Sequence, residues 1–163
     1  MFDFIKKFTV AQNVIIYIRF KKEKVFFTYA PSGIHFDDFP ILALTKKKAK
    51  VKIHAVGKAV LELPEENKAV VYTPFEPFDV APDNFRLAEK VIQHLLKKGM
   101  PKSALLAPRI IMHPDKTYVA EQEEQAYWEL ALSAGGREAA VYIGRELQVE
   151  DFERILSEYQ PKH

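Results

Sequence analysis

A chain of 163 residues with 48% hydrophobic side chains is long enough to bury one ordinary core or two small lobes, which excludes disorder as a whole-chain description. It has no cysteine, so disulfides, a thiol nucleophile and thiolate-held zinc are excluded, leaving oxygen and imidazole chemistry. Lys plus Arg exceeds Asp plus Glu by only 24 to 22, a balance that argues against a dedicated nucleic-acid binder.

No apolar run nears the roughly 18 to 20 residues of a membrane span, and the start carries no signal-peptide core, so a cytoplasmic protein is expected. Residues 1–8 set Met1, Phe2, Phe4, Ile5 and Phe8 among Lys6 and Lys7, one apolar face if helical, suited to packing on the domain or touching a membrane. β-Branched and aromatic residues dominate 13–20 and 24–29, with Lys21, Lys22 and Glu23 as a hairpin loop. Pro31-Ser32-Gly33 makes the next turn, and a third strand over 40–45 completes a predicted three-stranded meander. Val51 and Ile53 suggest a short strand, 59–63 a brief helix, and 69–72 a further strand.

Pro74, Pro77 and Pro82 make 73–82 an ordered connection. From Asp83 a helix is predicted with Leu87, Ala88, Val91, Ile92, Leu95 and Leu96 on one stripe, ending at Lys97, Lys98 and Gly99. Residues 105–112 read as a buried strand, 117–134 as a helix stopped by Gly135-Gly136, 139–143 as a strand and 149–159 as a last helix. Strands first and then alternating helix and strand mean a mixed sheet flanked by helices.

In that order the chain resembles domain I of the bacterial actin MreB over about residues 8 to 143. Asn13-Val14-Ile15-Ile16-Tyr17-Ile18 is similar to the family's first strand end and turn, and 33–40 to its Gly-Ile to acidic-Pro segment. Ala55-Val56-Gly57-Lys58-Ala59 resembles Ala-Val-Gly-x-x-Ala, and 89–97 the Glu-Lys-Met-Leu-Gln-His helix. Pro108-Arg109-Ile110-Ile111 and Ala134-Gly135-Gly136-Arg137-Glu138 resemble the strand and turn that follow. The resemblance implies an α/β, actin-like (ribonuclease H-like) fold: about five strands flanked by helices, one domain over 1–163, with a small inserted subdomain over 46–80.

It also implies where a nucleotide would sit. The family's first strand turns through Asp-Leu-Gly-Thr, glycine admitting phosphate and aspartate organising metal and water. Aligned on Asn13, that loop is Phe8-Thr9-Val10-Ala11, which can do neither, and no Asp-Ile-Gly-Gly-Gly loop follows Ile143. With one residue inserted after Met112, Glu123 aligns with the family's water-positioning glutamate; lacking phosphate loops it reads as a solvated helix residue.

The remaining constellations have plain readings beside the functional ones. Lys46, Lys47, Lys48, Lys50 and Lys52 could bind anionic lipid or nucleic acid, or merely guard a strand edge. The five histidines form no paired metal motif. Asp37-Asp38, Glu65-Glu66 and Glu123-Glu124 read as exposed turn and helix carboxylates, and Ser32 as a turn former. Of the adjacent Tyr127 and Trp128 only one can face the interior, which makes Trp128 a candidate anchor for a partner.

The expected protein is therefore a non-enzyme without cofactor that docks on an MreB-type filament or on itself, with weak peripheral membrane contact through Phe2, Phe4 and Ile5. Alternatives are residual ATP binding or hydrolysis, and a basic module for anionic lipid or nucleic acid.

Overall fold

The computed structural model describes residues 13–47, 50–64, 70–102 and 104–162. In chain order these form β1 (Ile15–Phe20), β2 (Val25–Ala30), β3 (His35–Asp38), β4 (Leu42–Lys47), β5 (Lys50–Val56), α1 (Lys58–Leu61), β6 (Val70–Tyr72), α2 (Pro82–Leu96), β7 (Arg109–His113), α3 (Glu121–Ser133), β8 (Glu138–Val141) and α4 (Phe152–Glu158).

Apart from Arg19, β1 is apolar on both faces, and such a strand is stable only when both are covered. It lies at the centre of a five-stranded sheet of order β3-β2-β1-β7-β8, antiparallel to β2 and parallel to β7, with β8 parallel to β7. Ile16, Ile18 and Phe20 face the larger core, closed by Ala88, Val91, Ile92 and Leu95 of α2 and Tyr127 and Leu130 of α3. Ile15 and Tyr17 face a smaller core closed by Leu147, Phe152 and Leu156. Each buried Ile, Leu, Val and Phe among these contributes about 1.5 to 3 kcal/mol by leaving water, which holds the central strand in place.

The meander is present, but its third strand is β3, not residues 40–45. His35, Phe36 and Asp37 carry little of the β-branched signal, whereas Leu42, Ala43 and Leu44 belong to a second sheet of order β5-β4-β6. Residues 105–108 also differ from expectation: the strand starts at Arg109, and Leu105 and Leu106 are 66% and 46% exposed. The helix expected from 117 starts at Glu121, because Ala120 is still extended with ψ 155°. The last helix begins with a 3-10 turn over Val149–Asp151, held by the Gln148 and Asp151 capping pair.

Two glycines are required by close approach. Gly99, just after α2, lets the chain cross the Tyr29 ring, with which a Cβ would collide, while the Tyr29 hydroxyl donates to the Leu96 carbonyl at 2.6 Å. Gly57 has φ 73°, and a Cβ there would lie 2.5 Å from Asp38 Oδ1. Asp38 is 4% exposed, not the exposed turn carboxylate expected, because three donors meet it: the Phe39 and Lys58 amides at 2.8 and 2.6 Å and Lys98 Nζ at 2.5 Å. Burial would push its carboxyl up, but Lys98 and the two amides outweigh that and hold it below the usual range. One carboxylate thus ties the end of β3 to the start of α1 and the end of α2.

Gly57→Ala combines a left-handed backbone with a collision against that carboxylate and is expected to cost about 2 to 4 kcal/mol. Urea denaturation measures it as a lower midpoint at unchanged slope; a loss under about 0.5 kcal/mol contradicts the packing described.

Candidate functional site

Parallel strands end together, and in open α/β sheets ligands sit outside their carboxyl ends. Here the ends of β1, β7 and β8 enclose a cleft of about 600 Å³, reached by Arg19, Lys21, His113, Asp115, Lys116 and Glu146. The turn after β1 forms one side, the 113–118 loop the floor and the 144–147 loop the other side.

The β1 to β2 turn is closed on itself: Lys21 N–H donates to Lys24 O at 2.8 Å and Lys24 N–H to Lys21 O at 3.3 Å. Glu23 occupies its left-handed position, φ 71°, where glycine or asparagine is preferred. This turn follows the central strand of the sheet. Phe8, Thr9, Val10 and Ala11, which the resemblance sets against the family's first phosphate loop, lie outside the described residues.

Two of the cations in the cleft are paired. Arg19 meets Glu146 at 2.6 Å, and Lys116 meets Glu123 at 2.5 Å. Glu123, expected as a freely solvated residue, is thus held by Lys116 across the mouth of α3. Arg19 also stacks over Phe26, 5.4 Å from the ring centroid, and its Nε is buried with no acceptor among the described residues. Among the described residues no group of three or more His, Asp or Glu side chains is placed to hold a metal ion.

His113 closes the floor. Tyr17 Oη accepts the Leu147 N–H at 3.3 Å and lies 2.5 Å from His113 Nδ1, so the phenol donates to an unprotonated Nδ1. The imidazole N–H that remains is bound by the Gly144 backbone. Burial first, then Arg19 and Lys21, push the His113 pKa down against the opposing pull of that backbone bond and Asp115. Burial likewise pushes the Tyr17 hydroxyl up to about 12, keeping it a donor. The chain of bonds Leu147, Tyr17, His113, Gly144 fastens the 144–147 loop to β1 and β7.

The other expected site residues are scattered. Trp128 is half-buried against the larger core while Tyr127 is buried beside Phe20 and Phe78, so α3 shows only part of one aromatic face. Lys46 and Lys47 end β4, paired with Val51 and Lys50 of the edge strand β5, where Lys50 is exposed; Lys48 lies outside the described residues. Phe2, Phe4 and Ile5 also lie outside them. Sequence reading missed Tyr17, Arg19 and His113 as a group, although Tyr17 and Arg19 share the face of β1 opposite Ile16 and Ile18, a period-two signal.

No family model and no curated protein sequence matches the chain. Among solved structures it is similar to a non-polymerising MamK mutant bound to AMPPNP, with TM-score 0.64 and 9% identity over 80% of this chain and 40% of that one. It is also similar to MreB5 of Spiroplasma citri bound to AMPPNP (TM-score 0.63, 15% identity, 80% and 38% covered) and bound to ADP (0.62, 15%, 82% and 39%). The fold is therefore the actin-like one expected, a five-stranded mixed sheet with helices and a second small sheet, and the chain spans about two fifths of the length of each neighbour.

The depressed His113 pKa has a signed consequence. The folded state resists protonation that the unfolded chain accepts near pH 6.5, so stability is complete above that pH and declines as pH falls from it toward the lower folded pKa. Denaturation midpoints measured from pH 8 to 5 are expected to fall in the wild type and to fall less in His113→Gln; equal slopes would remove His113 as the cause.

Proposed function

We propose that the chain is a non-catalytic actin-like interaction module that docks on cytoskeletal or cell-shape machinery, an MreB-type filament or a second copy of itself. The observation that carries this is the turn after β1. On the reading that this turn, rather than residues 8–11, stands where the family has its first phosphate loop, its amides at Lys21 and Lys24 are spent across the turn, it has no glycine, and Arg19 and Phe20 precede it in place of a carboxylate. Such a turn neither approaches a phosphate nor organises a magnesium ion. Lys116 holds Glu123 away from the water-positioning task.

Docking is supported by the fold, since one neighbour is described as a non-polymerising mutant, a property meaningful for a protein whose subunits assemble. It is supported too by the small sheet. By register Val51, Ile53, Val70 and Tyr72 share one face, and they are 66%, 41%, 56% and 39% exposed.

Calorimetric titration with Mg-ATP is expected to show no binding tighter than about millimolar, with no phosphate release. Micromolar binding, or release that stops on Glu123→Ala, would instead establish the nucleotide-using reading, for which Lys21 offers a cation with no ion pair among the described residues.

A second reading, peripheral contact with anionic membrane, is favoured by Leu105 and Leu106. They are 66% and 46% exposed, adjacent in the chain, and stand just before β7. No helix among the described residues is long and apolar enough to cross a membrane. Sedimentation with anionic vesicles is expected to drop severalfold in the Leu105→Ser, Leu106→Ser double variant at any salt. Loss only on neutralising Lys50 and Lys52, and only at low salt, assigns the contact to the basic β-hairpin instead.

A further inference from the structure

His113 closes the floor of the cleft with a titratable ring that is 7% exposed. Both ring nitrogens are engaged, in a way open only to the neutral ring: Nδ1 accepts the Tyr17 hydroxyl at 2.5 Å and the remaining N–H donates to the Gly144 backbone. Tyr17 Oη in turn accepts the Leu147 amide at 3.3 Å. A proton on Nδ1 would set two hydrogens between ring and phenol, and the Tyr17 hydroxyl, on a residue 3% exposed, has no second acceptor among the described residues.

The segment pinned by this relay stands out from the domain. Gly144, Arg145 and Glu146 are exposed, and Gly144 at φ 148° supplies a hinge that a side chain would resist. Its other ties include the Tyr142 amide to Met112 O at 2.8 Å, the Arg19 to Glu146 pair at 2.6 Å and the Leu147 side chain in the smaller core. Burial first, then Arg19 of β1 and Lys21 of the following turn, hold the His113 ring neutral against the Gly144 bond and Asp115 of the loop after β7. Lys116 of that loop is held by Glu123. Past β8 the ring meets Tyr142 edge-on at 4.9 Å, and α4 presents the uncharged Phe152 to Tyr17.

We propose that His113 is an acid-released pin for the 144–147 segment: on taking up a proton the ring leaves its seat between Tyr17 and Gly144 for the cleft, and that side of the cleft swings free with Glu146. The open segment leaves His113 in water, where it titrates near 6.5, whereas the closed ring resists protonation. Opening is therefore unassisted above that pH and grows by up to about tenfold per pH unit below it, until the closed ring is itself protonated. The cleft is wider in acid than at neutral pH, whether or not nucleotide enters it.

The test is amide hydrogen exchange of the full chain at about pH 7.5 and about pH 5.5, expressed as protection relative to the free-peptide rate at each pH. Protection of Leu147 is expected to fall at least about threefold at the lower pH and to stay insensitive to low urea, as a local opening does. Amides of Ile92, Leu95 and Ile110 in the larger core, which open only with the whole fold, respond to the same urea. His113→Gln, whose amide can accept from Tyr17 and donate to Gly144 but takes no proton, is expected to keep the higher-pH protection of Leu147 at both values. Should this variant not fold, the wild type decides alone: the fall in Leu147 protection must level off at the pH where nitrogen-15 shifts show the His113 ring protonated. Leu147 exchange that follows urea as the core does, an equal fall in His113→Gln, a fall that continues past protonation of the ring, or no fall at all overturns the proposal.

Discussion

Burial of β1 on both faces is the constraint from which the rest of this molecule follows. A strand of Ile15, Ile16, Tyr17 and Ile18 cannot lie at a sheet edge without leaving an apolar row in water, so it takes the centre and draws β2 to one side and β7 to the other. Its parallel pairing with β7, repeated by β7 with β8, brings three carboxyl ends to one rim. That rim holds the larger cleft, and its occupants are decided by what the chain places after each strand: a lysine-rich turn, the 113–118 loop and the 144–147 loop.

Polar groups then fix how the layers meet. Asp38 joins β3, α1 and the chain after α2 through three donors, and Gly57 exists to leave room for it. Tyr17 and His113 do the same on the opposite face, fastening the 144–147 loop. Glu124 is 8% exposed and accepts a hydrogen bond from the Tyr159 hydroxyl at 2.9 Å, which joins the start of α3 to the chain after α4. Satisfied networks of this kind rigidify a fold.

Much of this was legible in residue order, and the failures have physical reasons. The α2 stripe, the Pro-rich connection and both parallel strands β7 and β8 follow from periodicity and from proline and glycine chemistry. β3 was misplaced because His35 and Asp37 look like loop residues, and only pairing with Thr28 and Phe26 makes them a strand. Leu105 and Leu106 were read as buried because apolar character does not reveal whether a partner exists. Asp38 and Glu124 were read as exposed because burial of a carboxylate depends on donors from residues 20, 35 and 60 positions away.

The central claim is that the turn after β1 is closed to phosphate. Amide hydrogen exchange across residues 20–24 and 113–118, followed with and without saturating Mg-ATP, tests it at the atoms concerned. The account predicts identical exchange in both conditions, with the Lys21 and Lys24 amides protected by their own cross-turn bonds. Slowed exchange of Lys22, Glu23 or Lys116 on adding nucleotide would contradict it.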